Sequence, residues 1–182
     1  MSVLRALLVP SLVVLILARE RTASYVAAAI FVVAAATDGL DGYLARRYSS
    51  TTPTGQWLDP LADKILVSAP VVTLAALGEF PVWAAVVIVA REISISVLRV
   101  VLGLRGRGMP ASPAAKVKTT LQLAAIALYI LPLGPSWHDV RLGLLIAAVV
   151  FTLVTGVHYV VRAAACLRRA RPDPSVKPEP AP

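Results

Sequence analysis

The chain has 182 residues, 58% of them hydrophobic and only 15% charged, with a formal net charge of +8. A soluble domain of ordinary composition carries about 25% charged residues, so a water-soluble fold is set aside at once. The apolar residues run in long blocks rather than alternating, which excludes a transmembrane barrel. The basic residues fall between those blocks without interleaved aromatics, which argues against nucleic acid as a partner. The chain reads as an all-α, polytopic membrane protein.

Six spans follow in chain order, at about 2–18, 24–46, 60–78, 80–103, 117–134 and 140–162, each long enough to cross roughly 30 Å of hydrocarbon, the first only just. The first span has the outline of a signal peptide. No small-residue cleavage site follows it, whereas Arg19-Glu20-Arg21 does, so it is read as retained. Residues 1–165 form one membrane domain without internal repeats. Residues 166–182 are basic and then Pro-rich (PDPSVKPEPAP), and read as a disordered tail. The single Cys166 supports neither a disulfide framework nor a thiolate metal cluster.

Charge sets the orientation. One side collects Arg46, Arg47, Arg105, Arg107, Lys116, Lys118, Arg168, Arg169 and Arg171. The other has Arg19, Arg21 and Arg141, diluted by Glu20, Glu79 and Asp139. The positive-inside rule then puts both termini, and with them the acidic segment, on the cytoplasmic side of the membrane.

The segment from Thr37 to Lys64 places four carboxylates at the membrane edge: Asp38, Asp41, Asp59 and Asp63. A charge in or beside hydrocarbon is costly unless paired or solvated, so such residues mark function. They form two pairs, spaced i, i+3 and i, i+4, and each pair shares a helical face. Two such faces meeting give an all-oxygen site for hard divalent cations, Mg²⁺ foremost. Four carboxylates favour two ions, or one ion and a general base. A polar connection from Arg47 to Trp57 lets the two helices return side by side. Gly42 and Gly55 allow a ligand close to the backbone, and Arg46 offers a planar fork to phosphate. Any one of these aspartates alone reads as a helix cap, and Arg46-Arg47 as flanking charge. No such reading explains the joint spacing.

Asp38-x-x-Asp41-Gly42-x-x-Ala45-Arg46, then eight residues, then Gly55-x-x-x-Asp59-x-x-x-Asp63 resembles, without a gap, the signature of the CDP-alcohol phosphatidyltransferase family. The resemblance implies six helices around a cytosol-facing polar cavity, usually in a homodimer. It implies attack of an alcohol on the lipid-linked phosphorus of a CDP-lipid, with CMP leaving. It also implies that Asp38, Asp41 and Asp59 bind two Mg²⁺ (or Mn²⁺) ions. It implies that Asp63 shares the second ion and serves as the catalytic base, and that Gly42, Ala45, Arg46 and Gly55 line the CDP-lipid pocket. The start of the chain departs from the family pattern: it keeps Arg5, has Ser2 in place of Thr, and lacks the preceding Asn.

Charges inside the fourth and fifth spans narrow the acceptor. Arg91 lies deep in its span, about 17 Å along the helix from residue 80. Glu92, Ser96 and Arg99 share one face at i, i+4 and i+7. Two cations facing one acid leave positive charge for a substrate phosphate, and Lys116 and Lys118 add to it from the next helix start. Arg91, Arg99, Lys116 and Lys118 therefore form the expected acceptor-phosphate pocket. The plainer reading makes Arg99 and the lysines interfacial anchors and Arg91–Glu92 a structural pair. Within the family, A-R-E-I-x-I-S-x-L-R at 90–99 and K-V-K-T-T-x-Q at 116–122 resemble members that use glycerol 3-phosphate. The implied reaction joins CDP-diacylglycerol and glycerol 3-phosphate into phosphatidylglycerophosphate and CMP. The alternatives are a sibling transferase making cardiolipin, phosphatidylinositol phosphate or phosphatidylserine, and a small cation transporter. A transporter would more often show broken helices or internal repeats, and none is seen.

Overall fold

The computed structural model of the protein describes residues 2–48, 55–104 and 113–168, with side chains described for 8–37, 64–104 and 117–165. These residues are helical, and no strand occurs among them. The elements are α1 (Ser2–Leu17), α2 (Arg21–Tyr48), α3 (Gly55–Ala76), α4 (Val82–Leu104), α5 (Pro113–Ile130) and α6 (His138–Arg168), with a 3₁₀ turn at Pro135–Trp137 before α6. The expected helices are all present, but three run further than their apolar blocks. Leu44, Ala45, Arg46 and Arg47 are good helix formers, so α2 continues to Tyr48. With α3 starting at Gly55, the connection expected from Arg47 to Trp57 shortens from both sides. Likewise α6 runs through Ala163, Ala164 and Ala165 to Arg168.

The helix ends show how the chain is folded back. After α3 the backbone turns left-handed at Gly78 (φ 74°). There Glu79 N–H donates to the Leu74 carbonyl at 2.9 Å and Gly78 N–H to that of Ala75 at 3.1 Å, the paired bonds of a glycine-terminated helix. Arg19 makes the corresponding left-handed turn after α1 (φ 55°), and its Nη2 donates to the Leu77 carbonyl at 2.8 Å. This bond puts the α1–α2 and α3–α4 connections at one end of the bundle. Phe80 meets Tyr129 edge-on, with ring centroids 4.8 Å apart, which brings the α5–α6 connection to that same end. The opposite end therefore receives the close of α2, the start of α3, the close of α4 and the start of α5.

Packing contacts close into a ring: α1, α2, α5, α6, α4, α3 and back to α1. Across it α3 also meets α5, and α2 touches α3. Leu12, Phe31, Leu66, Leu74, Ile88, Ile126 and Leu145 fill the centre. Alanines 27, 28, 34, 84, 85, 125 and 148 are buried between the helices, where small side chains let backbones approach. The outward surface is also apolar: Val32, Val33, Val86, Val97, Val154, Val157 and Val161 are exposed. Contiguous apolar surface on this scale marks contact with lipid or another protein rather than water. By length and composition, one helix among the described residues, Pro135–Ala165, is long and apolar enough to cross a membrane. Leu8–Leu17, Arg21–Thr37, Lys64–Ala76 and Val117–Ile130 are shorter apolar helices. The fourth helix carries Arg91, Glu92 and Arg99 within its length.

Candidate active site

Asp38, Asp41, Gly42, Ala45 and Arg46 lie in α2, and Gly55, Asp59 and Asp63 in α3. The eight motif positions thus belong to two helices that touch and reach the same end of the bundle. Their side chains lie outside the described residues. Among the described side chains, no group of three or more His, Cys, Asp or Glu comes together.

Lys64, the residue after Asp63 on α3, belongs to a charge cluster. Glu92 of α4 is buried, with its side chain 6% exposed. Lys64 of α3 donates to its Oε2, and Lys118 of α5 to its Oε1. Arg91 Nη1 also donates to Oε1, at 3.0 Å. Among the described side chains, one carboxylate thus receives three cations from three helices, two positive charges more than it balances. A buried ion pair needs only one partner to be neutral, and further buried cations raise the desolvation cost. A surplus of this kind is therefore a standing invitation to an anion.

The second arm of the cluster reaches α6. Arg91 Nη2 lies 3.4 Å from Thr155 Oγ1, which itself donates to the Phe151 carbonyl at 2.7 Å. Gly156 lies beside this arm, where a Cβ would meet Arg91 Cγ at 3.6 Å, an ordinary van der Waals contact. One turn beyond Lys118 on α5, Gln122 is 2% exposed. Neither of its amide atoms has a partner among the described residues, nor does Arg91 Nε. Buried polar groups are normally satisfied, so these atoms are unfinished business at the edge of the cluster.

The four residues expected to hold an acceptor phosphate are placed differently from one another. Arg91 and Lys118 meet at Glu92. Lys116 belongs to α5, but its side chain is outside the described residues. Arg99 is exposed and lies over the Tyr159 ring of α6, 5.9 Å from its centroid. Ser96, on the same face as Glu92, donates its hydroxyl to the Glu92 backbone carbonyl at 2.6 Å. Lys64 was not among the expected residues. Its one sequence signal is a lysine directly after the last aspartate of the motif, and it reads there as a flanking charge.

Comparison with known proteins gives a consistent picture. The family model described as CDP-alcohol phosphatidyltransferase matches residues 1–154. The chain is similar to a "Probable phosphatidylglycerophosphate synthase" of Mycobacterium tuberculosis (strain ATCC 25618 / H37Rv), 39% identical over 166 residues, covering 90% of this chain and 79% of the relative. It is similar to a CDP-diacylglycerol–glycerol-3-phosphate 3-phosphatidyltransferase of Bacillus subtilis (strain 168), 39% identical over 136 residues, with 72% and 70% coverage. A protein of the same description from Shigella flexneri serotype 5b (strain 8401) is 36% identical over 174 residues, with 92% and 94% coverage.

Proposed function

The chain belongs to the CDP-alcohol phosphatidyltransferase family, and on that premise we propose that it moves the phosphatidyl group of CDP-diacylglycerol onto glycerol 3-phosphate, giving phosphatidylglycerophosphate and CMP. The observation that carries the reading is the buried surplus of positive charge one residue along α3 from Asp63. A phosphate monoester carries about −1.5 to −2 charge at neutral pH, which matches that surplus. A neutral alcohol or a zwitterion would leave it uncompensated.

The donor side rests on the motif. Asp38 and Asp41 from α2 and Asp59 and Asp63 from α3 are an all-carboxylate set on two touching helices, a donor chemistry that suits hard divalent cations, two Mg²⁺ or Mn²⁺ ions in this reading. Bound there, such ions supply charge neutralisation to a diphosphate. Arg46 grips phosphate oxygens with its planar fork, and Gly42, Ala45 and Gly55 leave space for the nucleotide. Arg91 and Lys118, with Lys116 and Arg99 from the same two helices, orient the acceptor through its phosphate. Asp63 accepts the proton of the acceptor hydroxyl. That oxygen bonds to the lipid-side phosphorus, the bond from this phosphorus to the bridging oxygen breaks, and the electron pair departs on CMP.

In this reading the six helices cross a bacterial inner membrane, with both termini and the motif on the cytoplasmic side, and two copies form a dimer. The apolar outward faces of α2, α4 and α6 support the membrane placement.

The test is purified protein with CDP-diacylglycerol, Mg²⁺ and a panel of labelled acceptors. CMP release is expected only with glycerol 3-phosphate, and is expected to stop in excess chelator and return with Mg²⁺ or Mn²⁺. Asp63→Asn should lower turnover by about 100-fold or more while leaving most CDP-lipid affinity. Efficient use of free glycerol or phosphatidylglycerol rejects the acceptor, and full turnover in chelator rejects the role of the aspartates.

A further inference from the structure

We propose that Lys64 and Glu92 act together as a positioning pair, which fixes Arg91 and Lys118 for the acceptor phosphate and ties their placement to the helix bearing Asp59 and Asp63. The proposal rests on the reading of glycerol 3-phosphate as the acceptor and adds two residues to it.

The geometry of Glu92 is that of an organiser. Each of its oxygens is engaged, Oε2 by α3 and Oε1 by α5 and by Arg91 of its own helix. Three of its roughly four lone-pair directions are taken by cations of the cluster, so it acts through the cations it holds. Those cations differ in reach. Lys118 is 4% exposed and Arg91 14%, whereas Lys64 is 29% exposed and forms the open side of the cluster.

The position of Lys64 in the chain gives the pair its consequence. Lys64 follows Asp63 on one rigid helix, about 1.5 Å further along the axis. A shift of α3 that moves Asp63 must move the Lys64 ammonium as well, and with it one end of the Glu92 carboxylate. The acceptor cluster and the proton-accepting residue are thereby held in one frame. The amide of Gln122, one turn beyond Lys118, and Nε of Arg91 are both buried and have no partner among the described residues. A phosphate dianion carrying hydroxyls offers acceptors for all of these donors and a donor for the amide oxygen.

A lysine that merely fastens two helices would make the same bond, so the test must separate the two roles. Initial rates against both substrates are measured for full-length Lys64→Met, Lys64→Arg, Glu92→Gln and the Lys64→Met/Glu92→Gln double variant, with thermal midpoints in detergent. Lys64→Met should raise KM for glycerol 3-phosphate about 10-fold, the scale of one charge-assisted bond, and leave KM for CDP-diacylglycerol within about twofold. Lys64→Arg should recover most of the loss. The double variant should be no worse than Glu92→Gln alone, because Lys64 acts through Glu92. If Lys64→Met does not accumulate as folded protein, Lys64→Gln takes its place. A parent enzyme that ignores glycerol 3-phosphate overturns the functional reading and this proposal with it. A parent that uses it overturns the proposal alone if Lys64→Met shifts both constants equally or neither, or if the two single losses add.

Discussion

The cations at the two levels of this bundle are treated in opposite ways. At the end that gathers the short connections, Arg19 donates to the Leu77 carbonyl, and Arg141 to those of Leu131 and Leu133. Arg141 also leans on the Tyr129 ring, 5.9 Å from its centroid. These arginines donate to carbonyls that helix termini leave open, Arg19 with Glu79 also 3.7 Å from its Nη2, although Nε of Arg141 is buried without a partner among the described residues. In the interior, Lys64, Arg91 and Lys118 share a single carboxylate. The contrast offers a rule for reading charge in an apolar chain. A cation that ends on backbone belongs to the architecture, and cations that outnumber their anion hold charge in reserve for something that arrives.

The rule breaks or sharpens by substitution at each level. The largest effect is expected at Arg91: losing a charge-assisted bond of about 1.5–3 kcal/mol should raise KM for glycerol 3-phosphate roughly 10- to 150-fold in Arg91→Gln. The constant for CDP-diacylglycerol should stay put, and equal losses for both substrates would erase the distinction between the levels. Arg141→Ala should do the reverse. It strips donors from two carbonyls and should cost about 1.5 kcal/mol of stability, seen as a lower unfolding midpoint in detergent, with both Michaelis constants unchanged. A kinetic defect there would mean that architecture and reserve are not separable. The smallest effect is assigned to Arg99→Gln. A cation over an exposed ring contributes about 0.5–1 kcal/mol, so any rise in KM for glycerol 3-phosphate should stay within about fivefold. A loss as large as that of Arg91→Gln would give Arg99 a share in the phosphate site equal to that of Arg91.

Local patterns were readable from sequence, and pairings between helices were not. The Asp38–Asp63 spacing lies within one stretch of chain, so no fold is needed to notice it. Arg91 and Glu92 stand out because any charge inside an apolar span is conspicuous. Helix ends were less legible, because α2 and α3 continue into polar residues that no apolar block announces. Lys64 was hidden by its surroundings: beside Asp59 and Asp63 a lysine reads as one more edge charge, and its partner is 28 residues away on another helix. Periodicity put Arg99 and Ser96 on the face of Glu92. It gave no hint that Tyr159 would arrive from α6 to lie under one, or that the other would turn to its own backbone. Gln122 appears in the sequence as the last position of K-V-K-T-T-x-Q, but nothing there says that its amide is buried.

The ring order α1, α2, α5, α6, α4, α3 also sets a timetable for the nascent chain. Domains take shape from the N-terminal side as synthesis proceeds. The ribosome delivers α1 to α3 first, then α4 with Glu92, and at that moment Lys64 and Arg91 already exist while Lys118 does not. The earliest counterion available to Glu92 from another helix is thus Lys64. The fifth helix comes late and must enter between α2 and α6, closing the wall and bringing the second lysine with it. A polypeptide released before α5 would hold every aspartate of the motif and an open seam between α2 and α6.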